Sequence, residues 1–205
     1  MPPRRYGSGR GSASAARTTE RVLDAAAGLV AEDAFHTATM DDLARRAGVA
    51  RATVFSRFGS KLGVLEALSL RCAGGPEMRA IREAQEVEDP LAALEALLVA
   101  SCDLWETQGY IMVQLKAIVV LEPDASAIID AQYDDQRRGM EALARQLQRA
   151  GLLRDGWSMT RAAAALHALT SVETFMLLRR DHGLPLAKVK QTILELSRTM
   201  LAEPG

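Results

Sequence analysis

Arg51, Ala52, Thr53, Ser56 and Arg57 fall on one side of a short helix expected over about residues 50–57. Together they offer a guanidinium able to bond guanine O6 and N7, two hydroxyls, a small residue that permits close approach, and a second cation. Lys61 follows at the start of the next helix, where its ammonium and the helix's first amides suit a phosphate. Taken singly, Arg57 and Lys61 are ordinary surface charges and Thr53 an ordinary hydroxyl. In this order they suit a polyanion with readable edges.

Such a face needs rigid support, and the flanking residues supply it. Thr39 stands where an N-cap belongs, with Asp42 three residues on, a start resembling a capping box. Leu43 and Ala47 point inward, and Ala44 is small where a second helix must cross closely. Gly48 permits the left-handed backbone that joins one helix to the next. Val49 closes the corner, while Val54 and Phe58 anchor the second helix. Apolar, small and glycine residues at these offsets are what two short helices crossing steeply require.

The stretch Thr39–Lys61 resembles the N-terminal domain of TetR-type regulators. Ala34-Phe35, Ala38-Thr39, Ala47-Gly48-Val49-Ala50, Ala52 to Phe58 and Ser60-Lys61 match its pattern, and the likeness covers residues 17–65. It implies that Thr39, Arg51, Ala52, Thr53, Phe55, Ser56, Arg57 and Lys61 meet DNA. Phe55 stands where the family has a tyrosine directed at a phosphate, and Arg57 replaces a histidine. Ala50 replaces a serine that caps the recognition helix, a loss of about 1 kcal/mol. Ala34 and Ala38 replace a glycine and a threonine.

Elsewhere nearly everything reads as helix. Residues 1–16, rich in Gly, Ser, Ala and Pro, are expected to form a flexible tail whose Arg4, Arg5 and Arg10 could touch phosphates. Val22, Ala26, Leu29 and Val30 form an amphipathic stripe. A helix from Lys61 runs towards Arg71, and Gly74-Gly75-Pro76 could break it. Asp89-Pro90 opens another, with Asp as N-cap and Pro at the first position, ending by Gly109. Residues 110–121 are apolar nearly all round, either a buried helix or a strand; a lone strand would have no partner, which favours helix. Further helices are expected to about Ala150, over 158–181 and over 185–201. The expected fold is all-α, with a helix-turn-helix head at 17–62 and a helical body at 63–205.

The resemblance implies that the last two helices of the body pair with their twins in a homodimer and that the middle ones enclose a small-molecule pocket. A helix apolar on most faces, such as 162–178, needs cover from its own domain and a partner; a monomer using those faces as core is the plainer alternative. Leu166, Leu169, Met176, Val189, Ile193, Leu196 and Met200 are the candidate dimer residues. Pocket candidates are polar or aromatic groups within apolar faces: Trp105, Met112, Gln114 and Tyr133, then Arg137, Met140, His167 and Glu173. Few charges interrupt 110–121 and 162–178, so the expected effector is apolar or aromatic. The expectation is thus a ligand-responsive repressor on a palindromic operator of double-stranded DNA. An activator of the same architecture, or a helical interaction module without DNA binding, is the alternative.

Composition agrees with that division. The 205 residues carry a net charge of −1, with 48% hydrophobic and 25% charged residues, yet residues 1–61 hold ten Arg/Lys against six Asp/Glu. The rest holds fifteen against twenty, so the basic excess lies in the segment expected to meet a polyanion. His36, His167 and His182 lie far apart and belong to no catalytic or metal motif, so no enzyme, cofactor or metal is expected. Cys72 and Cys102 lack CxxC spacing and read as reduced thiols. No stretch reaches the roughly 18 apolar residues of a membrane span, and cytoplasmic residence is expected.

Overall fold

The computed structural model describes the backbone of residues 8–121 and 126–202, and the side chains of 13–117 and 134–202. Arg4 and Arg5, and the side chains of Arg10 and Tyr133, lie outside the described residues. The described chain forms helices joined by turns and short links, with one isolated antiparallel bridge between Leu153 and Leu201. It divides into two compact units, Met1–Arg71 and Cys72–Gly205.

The first unit, the head, holds α1 (Ser8–Ala31), α2 (Met40–Ala47), α3 (Arg51–Phe58) and most of α4 (Lys61–Ala73). α1 begins well before residue 17, which corrects the expected tail: residues 8–16 are helical. Their serines and alanines do not oppose a helix once the buried stripe downstream has nucleated it. Val22, Ala26, Leu29 and Val30 are buried, and Leu23, Phe35, Leu43, Ala44, Ala47, Val54, Val64, Leu65 and Leu68 complete the core. Arg71, near the end of α4, pairs with Asp24 at 2.7 Å and Glu20 at 3.3 Å on α1.

The second unit, the body, holds α5 (Pro76–Gln85), α6 (Pro90–Leu121), α7 (Ser126–Arg149), α8 (Met159–Leu169), α9 (Val172–Met176) and α10 (Leu186–Ser197). Asp89 caps α6 as expected, its carboxylate accepting the Ala92 amide at 2.7 Å. α6 does not stop at Gly109 but runs 32 residues through it. A Cβ at position 109 would lie 2.8 Å from Met176 Cε and 3.4 Å from Val172 Cγ2, so this glycine lets α9 approach α6 and is no helix end. The expected 158–181 helix is interrupted at Thr170-Ser171, where Ser171 caps α9, which continues into a π-helical turn at Leu177–Asp181. The Thr170 carbonyl accepts Trp105 Nε1 at 2.8 Å; its hydroxyl donates to Leu166 O at 2.9 Å and accepts from Gln136 Nε2 at 3.3 Å. These bonds satisfy the polar groups that the break leaves in a buried place.

The body's core corrects four of the dimer candidates. Leu166, Val189, Ile193 and Met200 are buried beside Leu98, Leu147 and Phe175 and offer nothing to a partner. Apolar periodicity marks a buried face without saying whether its own domain or a second chain covers it. Leu169 and Met176 are half-buried, and Leu196 is exposed, as is Leu177 in the π-helical turn.

Candidate nucleic-acid interface

α2 begins on the capping box its sequence suggests. The Thr39 hydroxyl accepts the Asp42 amide at 3.1 Å, and the Asp42 carboxylate accepts from the Thr39 amide at 2.9 Å and hydroxyl at 2.7 Å. The Thr39 hydroxyl and then its amide hold the Asp42 carboxyl below its usual range. Gly48 ends α2 in left-handed backbone at φ 61°, and its carbonyl accepts from Arg21 on α1 at 2.9 Å. Glu32 and Arg46 form a two-pronged pair at 2.5 and 2.7 Å, tying the end of α1 to α2. The turn is therefore held by backbone geometry and charge-assisted bonds as well as by core.

α3 enters from Ala50 in extended backbone with no side-chain cap, in keeping with the missing serine. Val54 is fully buried on its inner side, so Ala52, Phe55 and Ser56 are left exposed opposite. Arg51 and Arg57 flank that exposed stripe, and neither is idle. Arg51 Nε lies 2.8 Å from Asp41 Oδ1, Nη1 donates to Oδ2 at 3.1 Å, and the guanidinium sits 5.2 Å from the Phe55 ring centroid. Arg57 turns towards α1 and donates to the Thr19 hydroxyl at 3.0 Å. Ser56 donates to Thr53 O at 3.1 Å.

Lys61 Nζ donates to His36 O at 2.7 Å and lies 5.2 Å from the Phe35 ring, tying α4 to the link between α1 and α2. Ser60 caps α4 by accepting the Gly63 amide at 3.0 Å. Arg57 and Lys61 thus carry structural bonds that their residue types do not reveal, while Thr39 carries the cap its spacing suggests. Sequence reading missed Asp41 and Arg21. Each meets its partner across a turn or from another helix, and only the opposite charge of Asp41 and Arg51 hinted at a pair.

Of the pocket candidates, Trp105 and Met140 converge on Thr170, Met140 Sδ lying 3.6 Å from the threonine hydroxyl. Met140 is buried in the core and Arg137 is exposed, paired with Asp134 at 3.0 Å. Glu173 accepts a hydrogen bond from Lys116. Burial pushes the Glu173 carboxyl up, but Lys116, its own amide and His167 together bring it below its usual range. Met112, Gln114 and His167 are half-buried. Among the described residues no His, Cys, Asp and Glu cluster could hold a metal, and no helix is long and apolar enough to cross a membrane.

A capped helix, a left-handed glycine turn and a second short helix with an exposed stripe flanked by arginines define a helix-turn-helix DNA-binding head on an all-helical protein. Residues 22–68 match the family described as bacterial regulatory proteins, tetR family. The chain is 40% identical over 57 residues to the HTH-type transcriptional regulator SrpR of Pseudomonas putida and to the uncharacterized HTH-type transcriptional regulator TtgW of the same species. Those matches take in 28% of this chain but only 27% and 42% of the two relatives. Across 89% of its length it is similar to all of PfmR, a TetR-family regulator from Thermus thermophilus, at 26% identity and a TM-score of 0.71. Residues 22–68 therefore match the DNA-binding head of the tetR family, and over most of its length the chain has the fold of a TetR-family regulator.

Proposed function

We propose that the protein is a homodimeric repressor that binds a palindromic operator through α3 and leaves it when a small apolar or aromatic molecule enters the body. The exposed stripe Ala52, Phe55 and Ser56, flanked by Arg51 on a helix anchored by buried Val54, carries the reading. Ala52 and Phe55 suit thymine methyl groups, and Arg51 suits guanine. Arg57, Lys61 and the tail arginines supply a phosphate-directed charge.

For the dimer, exposed Leu177 and Leu196, with half-buried Leu169 and Met176, are the apolar groups of the C-terminal helices that a second copy would cover. For the effector, the only Asp, Glu, Lys or Arg residues in 110–121 and 162–178 are Lys116 and Glu173, which neutralise each other. The residues that would meet such a molecule around Trp105 and Met140 are then mostly apolar, with few polar handles.

Footprinting of the protein on DNA flanking its own gene tests the reading. Protection of a palindrome, lost steeply between low and physiological salt, supports it. DNA affinity indifferent to salt would instead indicate a helical interaction module. Reporter output from that promoter rises on deletion of the gene for a repressor and falls for an activator. Sedimentation should give a dimer that Leu196→Glu weakens.

A further inference from the structure

We infer that Asp41, on α2, is a specificity-determining residue: it holds the Arg51 guanidinium against Phe55 in the pose that reads a guanine. The inference rests on the DNA-reading role of α3 proposed above.

A free arginine on a helix surface samples many rotamers, and locking it costs up to about 2 kcal/mol of side-chain entropy. Arg51 is restrained on two sides. The Asp41 carboxylate accepts one N–H from Nη1 (3.1 Å), and its other oxygen lies 2.8 Å from Nε in an ion pair. The Phe55 ring lies 5.2 Å from the guanidinium carbon, within the range of a cation–π contact. An arginine has five N–H donors, so the single hydrogen bond to Asp41 leaves four, and guanine O6 and N7 need two. The bond to Asp41 therefore orients the fork without exhausting it.

An ordinary surface ion pair would have no such consequence. Arg51 and Asp41 are 65% and 54% exposed at their side chains, and a pair so wet adds little to folding. Asp41 also sits in the first turn of α2, where a carboxylate favours the helix dipole. Neither role reaches a DNA base. As a bare charge, moreover, Asp41 would repel phosphate and lower affinity for every sequence alike. The two roles thus predict opposite outcomes: positioning predicts that removing Asp41 harms one base preference, and simple repulsion predicts uniformly tighter binding.

The test is selection of the full-length protein on a randomised duplex library, for wild type, Asp41→Ala, Asp41→Asn, Arg51→Ala and the double variant. Helical circular dichroism and melting of each variant establish that the head is folded. Wild type should enrich a guanine at one position of each half-site. Asp41→Ala, Asp41→Asn and Arg51→Ala should each lower that preference roughly tenfold or more, at that position and no other. The double variant should lose no more than Arg51→Ala alone. On a duplex of unrelated sequence, Asp41→Ala should bind at least as tightly as wild type and Arg51→Ala more weakly. An unchanged guanine preference in folded Asp41→Ala overturns this inference alone. Failure of wild type to enrich any sequence overturns the DNA-reading proposal with it.

Discussion

The head joins two eight-residue helices through Gly48, Arg21 and the Thr39–Asp42 box, whereas the body stacks helices of 24 and 32 residues on one aliphatic core. Isolated helices of eight residues are not stable in water, so α2 and α3 depend on caps, turn backbone and the few buried groups beneath them. The body draws its stability from Leu, Ala and Phe side chains and uses ion pairs to tie α6 to the C-terminal helices. Lys116–Glu173, Glu106–Arg179 at 2.9 Å and Asp103–Lys190 at 2.6 Å all join those elements. The head is thus held largely by directional bonds, the body largely by packing.

The largest test of that contrast truncates one buried ring in each region. Phe35→Ala and Phe175→Ala should each cost about 3–5 kcal/mol. Calorimetry should show the first lowering the melting of the head and the second that of the body; identical shifts of one shared transition would break the distinction. Next come the glycines of close approach. A Cβ on Gly63 would lie 2.0 Å from the Phe58 carbonyl oxygen, which is backbone, while on Gly109 it would meet the movable methyl of Met176. Both substitutions to Ala should destabilise within the overpacking range of about 1–3 kcal/mol, with Gly63→Ala the more severe by urea denaturation.

Removing the cap is milder. Thr39→Ala should cost about 1 kcal/mol and leave the body's unfolding untouched, as read by hydrogen exchange in α2 against α6. The smallest effect separates the two regions by salt. The hydroxyl and amide of Thr39 hold the Asp42 carboxyl low, and Arg179 does the same for Glu106. A carboxyl with a lowered folded pKa adds stability above its unfolded value near 4, and that stability is lost as pH falls through the folded one. Both regions should therefore weaken on acidification, less so in Asp42→Asn and Glu106→Gln. Salt of about 1 M should erase the Glu106 contribution, whose main partner is a charge, and spare most of that of Asp42.

Where a residue's role is local, the chain could be read directly. Thr39 and Asp42 lie three apart, Gly48 precedes the next helix by a few residues, and Asp89-Pro90 opens α6; each carries out its role with neighbours in sequence. Gly109 and Thr170 could not be read this way. A glycine in an apolar run looks like a stop until Met176 and Val172 are seen against it. Thr170 looks like an ordinary helix residue until Trp105 and Gln136 arrive from elsewhere.

By itself, then, the sequence determined the helical periodicity, the capped helix-turn-helix, the stripe on α3 and the likeness of the head to the tetR family. These rest on interactions within about a turn, encoded by residue type and spacing. Only the tertiary structure decided that Arg51 belongs to Asp41 and Phe55, that Arg57 turns to Thr19, that Lys61 bonds the His36 carbonyl, and that Leu166, Val189, Ile193 and Met200 are core. The reason is geometric. A side chain with several donors, or an apolar face with several possible covers, takes the partner that packing brings within reach, and spacing along the chain does not name it.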